Sequence, residues 1–458
     1  MNKNAQDAMS NPSQSSMTRR GVLGRIALTV GAAAATTQPV FAQQSENWLE
    51  KIFGSPAATA STAGERRKPE ALNDLRPDAT PWRSDAMIEA MENAIRRYEQ
   101  IAAKSGWPQI PGARMIRPED DDERMPILRR RLMATGELGS RNGGGASNSY
   151  AFDADLDVAV RRFQENHGLR VSGRVDKSTL AAMNIPAQTR AAQLKLNLNR
   201  IRELMTPRPE DRYILVNTAA FQLEAVERGE VQQRHRTING KPERASPVVR
   251  ATIRAINFFP YWRVPDSVAT LDLIPKLQKE PEYLAKEKIR VVRGNFNGPE
   301  VDTSTIDWRT ATATDLKFRQ DPGPQNALGL MRIDMPNSEG VYMHDTPMKP
   351  LFQQRARAFS AGCVRVQDVP KLVDWIARYE MGWDKPGRAD QVTEAGNALD
   401  LNLTRQVPVY FVYLTAWAEP SDGRVVFRPD VYNRDGINDG ATGREEGEGP
   451  VPTQALAP

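Results

Sequence analysis

A single cysteine, Cys363, and three histidines, His167, His235 and His344, carry the side chains best suited to covalent or proton-transfer chemistry in this 458-residue chain. A thiol at its ordinary pKa of about 8.5 is mostly protonated at neutral pH, so nucleophilic use requires a base or a local positive potential. His344 offers that base. It stands 19 residues before Cys363, at the end of the apolar run Val341-Tyr342-Met343. Local helix geometry cannot close that separation, but a folded sheet can. Gly362 precedes the cysteine, and a missing side chain lets backbone N–H groups approach a developing oxyanion. The alternative is a buried, inert thiol on a core strand with an unrelated surface histidine. Residue types alone leave both readings open. His167 fits a turn or helix cap, and His235, between Arg234 and Arg236, fits a structural position on a strand.

Elements able to position this pair follow from periodicity. From Arg212 the pattern is that of strands: Tyr213-Ile214-Leu215-Val216 is continuously apolar, and Phe221, Leu223 and Ala225 alternate before a turn at Arg228-Gly229. Val409 to Ala418 reads as a strong strand, turned at Asp422-Gly423 into Val425-Val426-Phe427. Between them, 262–322 is charged and partly helical (Leu271 to Leu284) and reads as an insertion; a helix from Pro370 to Tyr379 follows the cysteine. Upstream, Met87, Met91, Ile95 and Tyr98 recur at helical spacing within Ala86–Ala102. Residues 121–186 make a helical unit: Met125, Leu128 and Leu132 form one stripe, Phe152, Leu156, Val160 and Phe163 a second, and Asp176 caps a third helix with Leu180 and Met183.

Composition removes several function classes. A net charge of +5, from 62 basic and 57 acidic residues, is too thin for a nucleic-acid footprint yet tolerates a polyanionic surface. The histidines are far apart and lack a second cysteine, which offers no zinc set. No phosphate loop and no dinucleotide glycine fingerprint occurs. At the N-terminus, Thr18-Arg19-Arg20-Gly21-Val22-Leu23 precedes an apolar stretch, and Val40-Phe41-Ala42 offers a cleavage site before Gln43. This is the order of a cleaved secretory signal, with a core too short for a stable membrane anchor. The paired arginines favour the twin-arginine route, whereas Val22 stands where that motif prefers an aromatic, so the general secretory route stays open. In an oxidising compartment an unpaired thiol is either buried or kept for its reactivity. After about Asn433 the chain is rich in Gly, Glu and Pro and reads as disordered.

Two resemblances decide among these readings. AVRRFQENHGLRVSGRVDKSTLAAMN (159–184) resembles the three-helix peptidoglycan-binding domain: Phe163, Gln164, Gly168, Leu169, Gly173, Thr179 and Asn184 fit its pattern, with Met183 in place of a leucine. His344-Asp345-Thr346-Pro347 followed by Ser360-Ala361-Gly362-Cys363-Val364-Arg365-Val366 resembles the signature of the YkuD-type L,D-transpeptidases, and of their large members in particular. NFFPYWRVPDS, LIPKLQKEPEYL, PGPQNALGLMRIDMPN and VPVYFVYLTAWAEPSDGRVVFRPDVYN extend that likeness over roughly 121–433. The resemblance implies Cys363 as acyl-accepting nucleophile, His344 as general base, and the backbone at Gly362 and Cys363 as oxyanion site. Arg365 takes the place of an arginine that organises the site or binds a substrate carboxylate, with a structural ion pair as the alternative. Tyr342 and Trp262 are candidates to wall the cleft or to sit in the core. Ala361 departs from the histidine usual there in smaller members, which leaves His344 as sole base.

The expected architecture is therefore a multidomain α+β chain: a β-rich YkuD-type catalytic domain (212–418) with a partly helical capping insertion (262–322), plus a small three-helix peptidoglycan-binding domain (121–187). A signal peptide (1–42), a scaffold or linker region (43–120), a linker helix (188–211) and a terminal hairpin with disordered tail (419–458) complete it. The implied activity is periplasmic crosslinking of diaminopimelate residues in peptidoglycan stem peptides, with no metal or organic cofactor. Cell-wall synthesis enzymes or D,D-carboxypeptidases are the implied partners. A hydrolase of the same fold and a non-catalytic wall-binding protein remain alternatives.

Overall fold

Helix-forming stripes and caps organise the N-terminal part of the computed structural model, which describes residues 72, 74–118, 120–139 and 149–436. The expected signal peptide and most of the tail lie outside the described residues. Helix α1 (Asp85–Ala103) starts where the Ser84 hydroxyl accepts from the Met87 N–H at 3.2 Å. Helices α2 (Met125–Thr135), α3 (Ala154–Asn166) and α4 (Lys177–Asn184) share a core of Leu128, Leu132, Leu156, Val160, Phe163, Leu180 and Met183. Asp153 and Asp176 cap α3 and α4. Gln164 is buried because its amide closes the next turn, accepting from the Ser172 and Gly173 N–H groups and donating to the Arg174 carbonyl. Helix α5 (Ala187–Leu204) is more than a connector: it packs along α1, and both contribute to a second core with Trp82 and Trp417.

The C-terminal half is a ring of strands. In chain order these are β1 (Arg212–Asn217), β2 (Gln222–Glu227), β3 (Glu230–Gly240), β4 (Val249–Phe258), then β5 (Trp262–Arg263), β6 (Ile289–Arg293) and β7 (Leu316–Gln320) of the insertion, then β8 (Met331–Asp334), β9 (Met343–His344), β10 (Ala358–Ser360), β11 (Val364–Val366) and β12 (Leu399–Val412). The order β3-β11-β9-β8-β4-β12-β1-β2 closes by a β2–β3 pairing, with β10 on the other edge of β3. Closure leaves those eight strands no free edge. The apolar run in β1 is explained by burial on both faces: Ile214 and Val216 enter the ring core, while Tyr213 and Leu215 enter the core shared with α1 and α5. Helix α6 (Val369–Ala377) packs Leu372, Val373 and Ile376 into the ring core.

Residues 262–322 form a small body with its own sheet, β5-β7-β6, and its own core of Trp262, Leu273, Leu277, Val291, Trp308 and Phe318. Within it, β7 buries Leu316, Phe318 and Gln320 and leaves Lys317 and Arg319 partly exposed. That core also touches Tyr342 and Ala361. The strand expected over 409–418 is two: β12 leaves the ring at Val412, and β13 (Ala416–Ala418) pairs with β14 (Val425–Phe427) against α1 and α5. On β14 the hairpin receives α3. His167 stacks on Phe427 with centroids 5.2 Å apart, and a Cβ on Gly168, at φ +65°, would come within 2.8 Å of the Arg428 Cδ. Gly168→Ala is expected to cost about 1–2 kcal/mol of stability in a denaturant titration, because both the backbone and the docking oppose it.

Candidate active site

The nucleophile candidate sits on a turn that straddles the end of β3. Strand β10 runs parallel to β3 and ends with Ser360 beside Gly240; the chain then crosses over and returns as β11, antiparallel on the other side, with Arg365 beside Ile238. Two hydroxyls fix the crossing. Ser360 Oγ donates to the Cys363 carbonyl at 2.5 Å and accepts from the Gly362 N–H at 3.2 Å. Ser246 Oγ donates to the Gly362 carbonyl at 2.8 Å and accepts from the Gly240 N–H at 2.9 Å. Gly362 has φ +123°, which a residue with a side chain rarely adopts. This corrects the expectation for Gly362: its N–H is already bonded to Ser360, so its contribution is the conformation of the turn. The Cys363 N–H donates to no protein acceptor among the described residues.

Strand register gathers the remaining groups. Strands β9 and β11 are parallel, with Met343 opposite Val364 and His344 opposite Arg365. Side chains alternate along a strand, so Tyr342, His344 and Arg365 share the face opposite to Met343, Val364 and Val366, which enter the ring core. Tyr342 neighbours Cys363, and its backbone and hydroxyl both act to lower the thiol pKa. Tyr342 and His344 rings meet edge to face at 5.7 Å. Arg332 on β8, in register with His344, lies over the Tyr342 ring at 5.5 Å.

The site is dry. His344 is fully buried, Arg365 is 2% exposed and Cys363 is 6% exposed. Burial pushes the thiol up to about 11, against the smaller opposing effects of Tyr342 and Arg365. Burial, with the Arg365 charge second, holds His344 down at about 3. The resting pair is therefore a neutral thiol and a neutral imidazole. The His344 Nδ1–H donates to the Asp345 carbonyl, and the Leu328 backbone is a second polar neighbour of the ring. The Asp345 carboxylate accepts from the Leu330 N–H and pairs with Lys349, locking the segment after the histidine.

Arg365 carries the most informative environment. Its Nε has no hydrogen-bond partner, and among the described residues it forms no ion pair. Burial lowers its pKa to about 10, and the neighbouring Cys363 opposes that shift. A structural ion pair is thus set aside. Of the two readings of Trp262, the core is the one its packing fits: it is 1% exposed, within the core of the insertion. Tyr342 bridges that core and the sulfur. His235 binds the Gln367 carbonyl on the ring, and His167 binds the Phe163 carbonyl. Among the described residues no group of His, Cys, Asp and Glu could hold a metal ion. Sequence reasoning missed Ser246 and Arg332; of the two, only Arg332 left a signal, in the alternation of Met331-Arg332-Ile333-Asp334.

Residues 211–397 match the family model described as an L,D-transpeptidase catalytic domain, YkuD. This segment is such a domain. Residues 122–183 match a second model, described as "Putative peptidoglycan binding domain". A Haemophilus influenzae protein named "Putative L,D-transpeptidase" is 32% identical over 226 residues, which are 48% of this chain and 44% of that protein. The chain therefore matches less than half the length of that relative. Among solved structures, an L,D-transpeptidase of Stackebrandtia nassauensis is 13% identical with a TM-score of 0.23, covering 65% of this chain and 97% of that one. One from Xylanimonas cellulosilytica is 14% identical with a TM-score of 0.20, covering 66% and 99%. Superpositions this loose add nothing to the assignment, which rests on the sequence match. The L,D-transpeptidase domain ends, by that match, before β12, although β12 supplies a central strand of the ring.

Proposed function

We propose that the chain is an exported L,D-transpeptidase acting on peptidoglycan in the periplasm. The observation that carries this reading is the juxtaposition of Cys363 with the buried Arg365 guanidinium, which forms no ion pair among the described residues. Cys363 Sγ attacks the carbonyl on the L-centre of diaminopimelate in a donor tetrapeptide, and the thiol proton passes to Nε2 of His344. The Cys363 N–H and Arg365 stabilise the charge that develops. The C–N bond to D-alanine breaks, D-alanine leaves with the proton returned by His344, and a thioester remains. The side-chain amine of a second stem then attacks the thioester, losing its proton to His344, and the thiol is restored. Starting from a neutral pair suits a dry site, since no isolated thiolate has to be held in it.

The test is mass spectrometry of tetrapeptide muropeptides incubated with the chain from Gln43, beside Cys363→Ala. A crosslinked dimer lacking one D-alanine, absent with the variant, is the expected result. Tripeptide monomer without dimer, equally dependent on Cys363, would replace the transpeptidase with a hydrolase. Unchanged donor with both folded proteins would leave wall binding alone.

A further inference from the structure

We propose that Asp74, far outside the matched catalytic domain, is a positioning residue for the nucleophile, acting through Arg357. The inference rests on the reading of Cys363 as nucleophile. Asp74 lies on an N-terminal strap that crosses β2 and β3: the Arg76 N–H donates to the Gln222 amide oxygen, the Trp82 N–H to Glu224, and the Val231 N–H to the Ala79 carbonyl. Its two carboxylate oxygens divide between two arginines. One accepts from Arg236 Nε on β3 at 2.6 Å, the other from an Arg357 terminal nitrogen at 2.6 Å.

Arg357 is fully buried and immediately precedes β10. Its guanidinium donates further to the carbonyls of Thr237 at 3.1 Å, Gln354 at 2.7 Å and Phe221 at 3.0 Å, and its own carbonyl accepts from the Asn239 N–H at 2.9 Å. Three residues later comes Ser360, whose hydroxyl holds both Gly362 and the Cys363 carbonyl. Asp74 is the one carboxylate paired with Arg357 among the described residues. A buried guanidinium stripped of its counter-charge is driven toward water. Because Arg357 anchors β10, that movement is passed to the turn bearing the sulfur. Misplacement by about 1 Å at a reacting atom is enough to cost a rate about 100-fold.

The experiment compares Asp74→Asn, Asp74→Glu and Asp78→Asn in the full chain from Gln43. Asp78 serves as control because it lies on the same strap and holds the Thr80 and Ser421 N–H groups, with no link to β10. Turnover of tetrapeptide donor gives kcat and KM, and iodoacetamide labelling of Cys363, read by mass, needs no substrate. Asp74→Asn is expected to lower kcat by about tenfold or more with KM within about threefold, and to speed labelling by about tenfold as the turn loosens. Asp74→Glu, which keeps the charge, should recover part of both, and Asp78→Asn should stay within about twofold of the parent. Asp74→Asn indistinguishable from the parent in kcat and labelling would overturn the assignment. So would equal losses in the Asp74 and Asp78 variants that track their melting temperatures. Should Asp74→Asn fail to fold, Asp74→Glu decides alone: a shifted carboxylate must still reduce kcat and raise labelling. A parent that labels but does not turn over donor sinks the transpeptidase reading, while labelling still decides the role of Asp74.

Discussion

Replacing His344 with glutamine is expected to flatten the acid limb of the stability curve and to stop turnover at the same time. The imidazole titrates at about 3 in the folded chain against about 6.5 when unfolded. Below pH 6.5 the unfolded chain therefore binds a proton that the native site refuses. The stability due to this group is complete above pH 6.5 and is lost as the pH falls toward 3. At pH 4 the loss amounts to roughly 3 kcal/mol, and the whole window to on the order of 5 kcal/mol. Urea unfolding at pH 7 and pH 4 reads the difference: the parent should weaken far more than His344→Gln between those pH values. An equal acid slope in both proteins would mean that the ring does not sit in the dry, neutral environment described. Activity should fall by about 100- to 10,000-fold, the range a general base supplies.

Arg365→Met should move stability and activity in opposite directions. A buried cation without a partner is a net cost to the fold, and an apolar side chain of similar length removes it. Gains of about 1–4 kcal/mol accompany replacement of buried charge that is paired, and this guanidinium forms no ion pair among the described residues, its Nε having no hydrogen-bond partner there. The variant should therefore melt higher than the parent in a thermal scan. It should also lose at least about 100-fold in donor turnover, because an electrostatic donor is missing where charge develops. A variant that melts lower would point to a counter-charge that the native fold supplies. One that keeps its activity would free Arg365 of any chemical role.

How much of this was legible depended on sequence distance. His344 and Arg365 stand on two short neighbouring strands with Tyr342, Gly362 and Cys363 just before them, and alternation already places Tyr342 with His344 and Cys363 with Arg365. The sheet had only to lay those strands side by side. Caps such as Asp153 and Asp176 were equally local. Ser246 and Asp74 leave no comparable mark. Each reaches the site by a fold that returns a distant loop to it, and neither position carries a periodic or motif signal. The oxyanion reading of Gly362 erred because the hydroxyl that takes its N–H is set by the turn, not by composition. For Trp262 the sequence leaves cleft and core open, and the core follows because an aromatic at the start of an insertion packs inward once the insertion has a sheet of its own.

The strap has a consequence for how the protein is made. Arg76 is bonded to Glu419 at 2.8 Å across 343 residues, and Asp74 reaches Arg357 across 283. Contacts of such separation form late, since the entropy of closing long loops must be overcome first. A growing chain that has released every residue of the motif still lacks the hairpin partner of its own strap. The setting of Cys363 should accordingly be assembled in the last stage of folding, after synthesis has passed Glu419. A partly made chain would then carry the motif without a working nucleophile.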